Sequence, residues 1–506
     1  MVSSKAKAIV SNIWPIENKE LKKFIPMALM YMLIVFVFNL LRSTKDALLV
    51  ANIGAEAISF VKVYAVVPSA ILFMLIYAKL TSVINQHRIF YTFSSIFLAF
   101  FFLFGFVFYP YREFFHPNPQ TIEELATKTI YGFDMAHLKW FLRCFGKWTY
   151  TLFYIFSELW ISTMLSLLFF RFANGITRTD EAKRFYPMLG FCAQLGLLSA
   201  GRILVYLTNQ SGAEDKLKLS ASMEASVLSS TSVIICIAIM ALMGVYAYIN
   251  KYVLSDPRFM PATPAKKKEK LELSVLDGFK VVFSSKYLGF LALMVLIYGV
   301  SVNLVEGPWK DAVKKVYPNT VQYMGFMGNL AFYTGASTMI AFLISAQFLK
   351  RVSWYVGAMF TPVMLSLSGL GFFLFLAMDK TAGSMSGAWL EWLAMAPLQM
   401  AVWCGFAQNV ATKATKYSFF DPAKEMAYIP VDVELQTKGK AAVDLVGHRF
   451  GKSIGGVIQS TIFLLFPSVG FSEVVPYFMW IFVILSIIWM VDVRLLYNEY
   501  RKFVKD

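Results

Sequence analysis

Runs of roughly 20 apolar residues, nearly free of charge, recur from one end of this 506-residue chain to the other. That is the length a helix needs to cross the hydrocarbon core of a bilayer. In lipid a backbone must satisfy its own hydrogen bonds, so isolated runs of this kind fold as helices. Composition agrees: 58% of residues are apolar, 15% are charged and mean hydropathy is +0.59. A soluble domain carries about a quarter charged residues, so a soluble enzyme, a disordered chain and a secreted disulfide scaffold are all excluded. Cys144, Cys192, Cys236 and Cys404 are scattered without a CxxC and read as buried thiols. The four histidines are too dispersed for a metal site. Neither a metal, a cofactor nor a nucleic-acid partner is expected. The lipid bilayer is.

Twelve spans are predicted, at about 24–48, 58–80, 89–109, 147–170, 185–207, 228–250, 286–306, 322–349, 353–378, 388–412, 441–466 and 473–496. The first is too long for a cleaved signal, and Arg42, Lys45 and Asp46 stand where small residues would be cut. Lysines and arginines concentrate in the terminal segments and in the loops that lie on the same side as them, so both termini are assigned to the cytoplasm. Part of the formal +16 charge belongs to those loops, and a surplus suits an anionic substrate or lipid. The stretch PATPAKKKEK at 261–270 cannot build a core and reads as a solvated linker. The fold class expected is an all-α polytopic membrane protein of two six-helix halves, 1–250 and 286–506, joined by a basic cytoplasmic linker, 251–285.

The halves echo each other. Asn39-Leu40-Leu41-Arg42-Ser43-Thr44-Lys45-Asp46-Ala47 ends span 1. Asn303-Leu304-Val305-Glu306-Gly307-Pro308-Trp309-Lys310-Asp311-Ala312 ends span 7, matching with one inserted residue. Asp180 to Pro187 after span 4 resembles Asp421 to Pro430 after span 10. A duplicated six-helix unit is the major-facilitator layout, in which the substrate sits between the halves and they rock about it.

Ionisable side chains at membrane depth cost about 2.5–3.5 kcal/mol or more, so they face polar cavities and carry function. Arg42 and Lys45 suit anion capture, although both stand near a span end from which they could snorkel. Glu158 lies mid-span in SELW with no neighbour to neutralise it, and Tyr154, Glu158 and Ser162 share its face. Glu306 closes span 7 and stands opposite Arg42 in the repeat. Lys452 lies among the glycines of span 11, from Gly447 to Gly456. The segment Gly447 to Ser453 falls one residue short of a P-loop and opens a membrane helix, so ATP hydrolysis there is rejected and no catalytic residue is assigned. Lys62, Arg202, Gln408 and Asn409 are weaker candidates, with structural pairing an equal alternative. Basic groups gathered in one cavity suit a polyanion such as a phosphate ester. The carboxylates would pair the lysines when the site is empty, bind a proton, or accept from a base or ribose.

LRSTKDALLV at 41–50, SELW at 157–160, VSVNLVEGPWK at 300–310, KYSFFDPAKEMAYIP at 416–430 and GKAAVDLVGHRFGKSIGG at 439–456 resemble, in order, the nucleotide transporters of plastids and of obligate intracellular bacteria. The flavour is rickettsial or chlamydial. The resemblance implies exchange of ATP for ADP, with phosphate as a candidate companion, across a bacterial inner membrane. Other members take other nucleotides or import them with protons, and that is the alternative. It implies a substrate site at Lys45, Glu158, Glu306 and Lys452, with Lys440 as a fallback for the last; Arg42, Tyr154 and Asn409 are candidates from the residues themselves. Two departures, Ser43 where many members have Asp and Ile454 after GKS, leave the nucleotide and the mode open. Facilitators of this layout are mostly monomers, so a monomer is expected.

Overall fold

The computed structural model describes residues 15–210, 221–259, 280, 285–381, 395–431, 439–440, 443 and 451–504. Ten of its helices are long and apolar enough to cross a membrane. They are α1 (Leu21–Asn52), α2 (Ala57–Val83), α3 (Gln86–Phe108), α4 (Trp148–Ile176), α5 (Thr179–Gln210), α6 (Ala221–Val253), α7 (Lys286–Val316), α8 (Thr320–Arg351), α9 (Trp354–Thr381) and, near the end of the chain, α12 (Phe471–Val504). Between α9 and α12 lie α10 (Pro397–Thr415) and the shorter α11 (Gly451–Leu465). Ten of them fall on predicted spans; α10 and α11 overlap the tenth and eleventh, but among the described residues neither is long and apolar enough to count as a crossing.

Span 10 differs in its bounds. Its helix is described from Pro397, not 388, and residues 382–394 lie outside the described residues. It continues past the expected end, through Lys416–Phe420 to Asp421–Ala427. A hydropathy reading stops at Lys413, but that lysine faces a cavity instead of lipid, so it need not end the helix. Most of the basic linker, 260–279 and 281–284, lies outside the described residues.

Among the described residues, five membrane helices contain a π-helical stretch, including Val61–Val66 in α2 and Ile161–Phe169 in α4. Such stretches cluster at functional sites, and here one holds Lys62 while another begins three residues beyond Glu158.

Helices α5 and α8 touch backbone to backbone. A Cβ at Gly201 would lie 2.5 Å from the Gly328 carbonyl, the close approach that small residues allow between membrane helices. Residues 112–146 form a small cap between α3 and α4. Helices Arg112–Phe115, Pro119–Ala126 and Lys139–Gly146 surround a two-residue antiparallel hairpin whose turn uses positive φ at Tyr131 and Gly132. The cap lies on the α1–α2 turn, where Trp140 would collide with any side chain at Gly54, 2.8 Å from its Cβ position.

Candidate functional site

A chain of ion pairs crosses the middle of the bundle. Glu158 on α4 meets Lys45 on α1 at 2.7 Å, and Lys45 meets its neighbour Asp46 at 3.2 Å. Asp46 also reaches Lys310 on α7 at 2.9 Å. One turn back, Glu306 holds Lys310 at 2.8 Å and Lys62 on α2 at 3.8 Å. Three lysines and three carboxylates therefore alternate and cancel. The middle of this ladder is dry: the side chains of Lys45, Asp46 and Lys310 are each 4% exposed. Their desolvation is offset only while the pairs hold, because removing one partner of a buried pair costs about 3–5 kcal/mol. Tyr154 underlies Lys45, with the ammonium 3.6 Å from the ring centroid. Its hydroxyl is buried and has no hydrogen-bond partner among the described residues.

Local sequence explains how the groups are aimed. Glu306 and Lys310 stand four residues apart on α7, one above the other on a single face. Lys45 and Asp46 are consecutive, so their side chains leave α1 about 100° apart. One turns to α4 and the other to α7.

Beside the ladder lies a cavity of about 310 Å³, walled by α1, α4, α5, α7, α8 and α10. Asp46, Glu306 and Lys310 form its floor. Arg42 and Asn39 on α1, Asn409 and Lys413 on α10, and Tyr31 and Tyr417 line its sides. From the ladder at Asp46 the lining runs back along α1 to Tyr31 and onward past α10 to Tyr417, so the cavity extends toward the end of the bundle where α1 begins. At the other end the two halves are sealed. His137 Nδ1 lies 2.6 Å from the Leu464 carbonyl oxygen, Lys139 donates to the Pro467 carbonyl, and the Phe471 N–H donates to Glu56 at 3.2 Å. Asn52 on α1 donates to Thr320 on α8 at 3.3 Å. A small hollow lined by Lys62, Glu306 and Lys310 lies on the sealed side of the ladder.

The predicted residues separate into groups. Lys45, Glu158, Glu306 and Tyr154 come together in and under the ladder. Arg42 and Asn409 line the cavity, where Asn409 Nδ2 donates to the Gly405 carbonyl at 2.9 Å. Lys440 does not join them: it is exposed and paired with Glu425 on the continuation of α10. The Lys452 side chain lies outside the described residues, although its backbone opens α11. Of the weaker candidates, Lys62 joins the ladder, Arg202 stacks on Phe332 between α5 and α8 at 3.8 Å, and Gln408 is buried.

Three residues escaped the sequence reading: Asp46 and Lys310 as members of the site, and Lys413. The Lys-Asp-Ala repeat contained the first two. The signal for the third is its position four residues after Asn409, on the same helical face.

Known proteins bear on these observations. A family described as TLC ATP/ADP transporter matches residues 1–500. The chain belongs to this family. It is a transporter, and not an enzyme. It is 46% identical to ADP,ATP carrier protein 1 of Rickettsia conorii over 496 residues, covering 97% of this chain and 96% of the relative. It is 43% identical to ADP,ATP carrier protein 1 of Rickettsia prowazekii over 512 residues, covering 100% and 99%. It is 41% identical to ADP,ATP carrier protein 3 of Rickettsia bellii, covering 97% of each. Among solved structures, the transporter is similar to a bacterial homologue of the iron transporter ferroportin in its inward-facing state, with TM-score 0.57, 11% identity and 95% and 99% coverage. A D-xylose-proton symporter gives TM-score 0.54 at 11% identity, covering 94% and 97%. Those identities bear on the fold alone, which is major-facilitator-like.

Proposed function

We propose that this transporter exchanges ATP for ADP by alternating access, with the 310 Å³ cavity holding the nucleotide and the ion ladder acting as its floor and gate. The observation that carries the reading is a neutral, dry ladder closing one end of a cavity whose walls carry further cations. Site residues are Arg42, Lys45, Tyr154, Glu158, Glu306 and Asn409, together with Asp46, Lys62, Lys310 and Lys413. With no substrate, Glu158, Asp46 and Glu306 keep Lys45, Lys310 and Lys62 compensated. Reorienting the empty protein would break pairs with nothing to replace the lost partner. A bound phosphate chain supplies that partner, so only the loaded carrier crosses, and exchange needs no other energy source.

The cytoplasm is the side on which α1 begins and residues 251–285 link the halves 1–250 and 286–506, because the lysines and arginines concentrate there. The cavity then faces inward. The protein works as a monomer in a bacterial inner membrane, since the cavity is enclosed by one chain. ATP carries about one more negative charge than ADP, and each charge moved is worth about 2.3 kcal/mol per 100 mV. Phosphate accompanying ADP outward removes that imbalance.

The test is uptake of radiolabelled ATP into proteoliposomes holding the full chain, preloaded with ADP, with ADP plus phosphate, or left empty. Uptake confined to ADP-loaded vesicles is expected. Uptake into empty vesicles that rises with a proton gradient would overturn exchange in favour of proton-coupled import.

A further inference from the structure

Within the ladder every cation has a carboxylate. Two cations on the cavity wall have none. Arg42 on α1 and Lys413 on α10 both line the cavity, and neither makes a hydrogen bond or ion pair among the described residues. The remaining charges on the wall, Asp46, Glu306 and Lys310, are already committed to one another. Among the described residues, the cavity's spare positive charge is therefore carried by these two side chains. Unpaired cations at membrane depth are costly unless an anion compensates them.

We infer that Arg42 and Lys413 form the phosphate subsite of the nucleotide cavity, gripping the di- or triphosphate from opposite halves of the molecule; the inference rests on the nucleotide-exchange reading above. Each cation has an amide one turn away on its own helix. Asn39 precedes Arg42 by three residues and Asn409 precedes Lys413 by four, and both amides line the same cavity. Each amide spends one donor on the carbonyl four residues back, at 2.7 Å to Val35 and 2.9 Å to Gly405, which fixes its orientation. The guanidinium offers a planar fork and the ammonium a compact point charge, a combination that can hold two phosphates on different oxygens.

The arrangement also couples occupancy to motion. The two cations belong to different halves, so without an anion they repel and favour the open cavity. A phosphate chain between them draws α1 and α10 together at the end where the cavity is open. Lys45 and Lys310, in contrast, do not have to leave their carboxylates for the substrate to bind. They enter only when the ladder opens. Discrimination among ATP, ADP, AMP and adenosine then resides in Arg42 and Lys413, while the ladder sets the strictness of exchange.

The experiment is competition by ATP, ADP, AMP and adenosine against radiolabelled ATP uptake, in ADP-loaded proteoliposomes carrying wild type, Lys413→Gln, Arg42→Gln or Lys413→Arg. Wild type should prefer nucleotides in order of phosphate count. Either glutamine variant should weaken ATP and ADP roughly 10–100-fold and shift adenosine less than about threefold, while Lys413→Arg restores most of the preference. If a glutamine variant transports too slowly, thermal stabilisation of the purified full chain in detergent by ADP against adenosine reads the same preference. Wild-type exchange with an unchanged phosphate preference in both glutamine variants would overturn the subsite and leave exchange standing. Absence of any nucleotide exchange or stabilisation in wild type would overturn the exchange reading itself.

Discussion

The two copies of the Asn-Leu … Lys-Asp-Ala motif have been put to different uses. Both asparagines turn back to the carbonyl four residues earlier, at 2.7 and 2.9 Å, and both lysines are buried at the centre of the bundle. The aspartates then part company. Asp46 is buried and joins Lys45 to Lys310, whereas Asp311 turns away to Lys315 on its own helix at 2.9 Å, where the lysine is 43% exposed. The residue inserted at Gly307-Pro308 rotates the second Lys-Asp pair by about 100° relative to its upstream acid. The preceding position also differs: Arg42 in one copy, Glu306 in the other. A symmetric pair of motifs would have carried matching charges on both walls. The asymmetric pair yields a compensated ladder and a separate, uncompensated arginine facing the cavity.

The largest expected effect tests that asymmetry directly. Asp46→Asn removes the one carboxylate shared by two buried lysines, so ATP/ADP exchange should fall more than about 100-fold and stability by about 3–5 kcal/mol. Asp311→Asn removes half of a partly exposed pair worth about 0–1 kcal/mol and should leave exchange within about twofold. Side-by-side uptake and thermal unfolding of the two variants decides the matter. Equal damage from both would mean the copies are equivalent after all.

The second effect separates rate from strictness. Glu158→Gln leaves Lys45 with Asp46 alone, weakening the ladder at its α4 end without emptying it. Exchange should drop about tenfold, and uptake into vesicles holding no nucleotide, absent in wild type, should emerge. A variant as slow as this but still strictly dependent on internal ADP would show that Glu158 sets rate only.

Most of the architecture was legible because lipid leaves so few alternatives. Ten helices meet the hydropathy expectation with ends shifted by up to ten residues, at α7, and burial cost singles out Glu158 and, with the repeat, Glu306. What was not legible follows from the same rule applied without geometry. Hydropathy treats a lysine as the end of a span, so Lys413 was read as a border when it is a cavity-facing residue on a helix that runs on to Ala427. Asp46 stood beside a chosen lysine, but only the packing of α1 on α7 reveals that it serves two. Lys440 lies close to Lys452 in sequence yet ends on the surface beside Glu425.

A smaller effect contrasts the ladder with the seal at the capped end. There the two halves meet through a few hydrogen bonds, from His137, Lys139 and Glu56 to backbone groups and from Asn52 to the Thr320 hydroxyl, instead of a buried charge network. Each such bond is worth only about 0.5–1.5 kcal/mol net, or more where charged. His137→Ala should therefore shift the balance between the two facing states by no more than about tenfold, with little change in unfolding temperature. Accessibility of a cysteine introduced at Thr320 to a membrane-impermeant thiol reagent, in a background lacking the four native cysteines, reads that balance. Labelling unchanged by His137→Ala would show that the seal does not rest on this contact.

The smallest effect lies in the cap, where a histidine sits beside two cations. His116 is half-buried, with Nε2 2.6 Å from the Thr149 hydroxyl, and lies near Arg112 and Lys147. Burial first, and then those two cations, push its pKa down to about 4. The unfolded chain protonates the same ring near pH 6.5. Between those values the unfolded state binds more protons than the folded one, so stability rises with pH across the window from about 4 to 6.5 and is level above it. Acidification from pH 7 to 5 should thus lower the unfolding temperature of wild type by about 1–3 °C more than that of His116→Gln, which keeps a hydrogen-bonding side chain but cannot titrate. Other carboxylates titrate in the same range, so the difference between the two curves is the quantity that matters. Curves that stay parallel from pH 7 to 4.5 would show that the imidazole is as free to take a proton in the folded cap as in the unfolded chain.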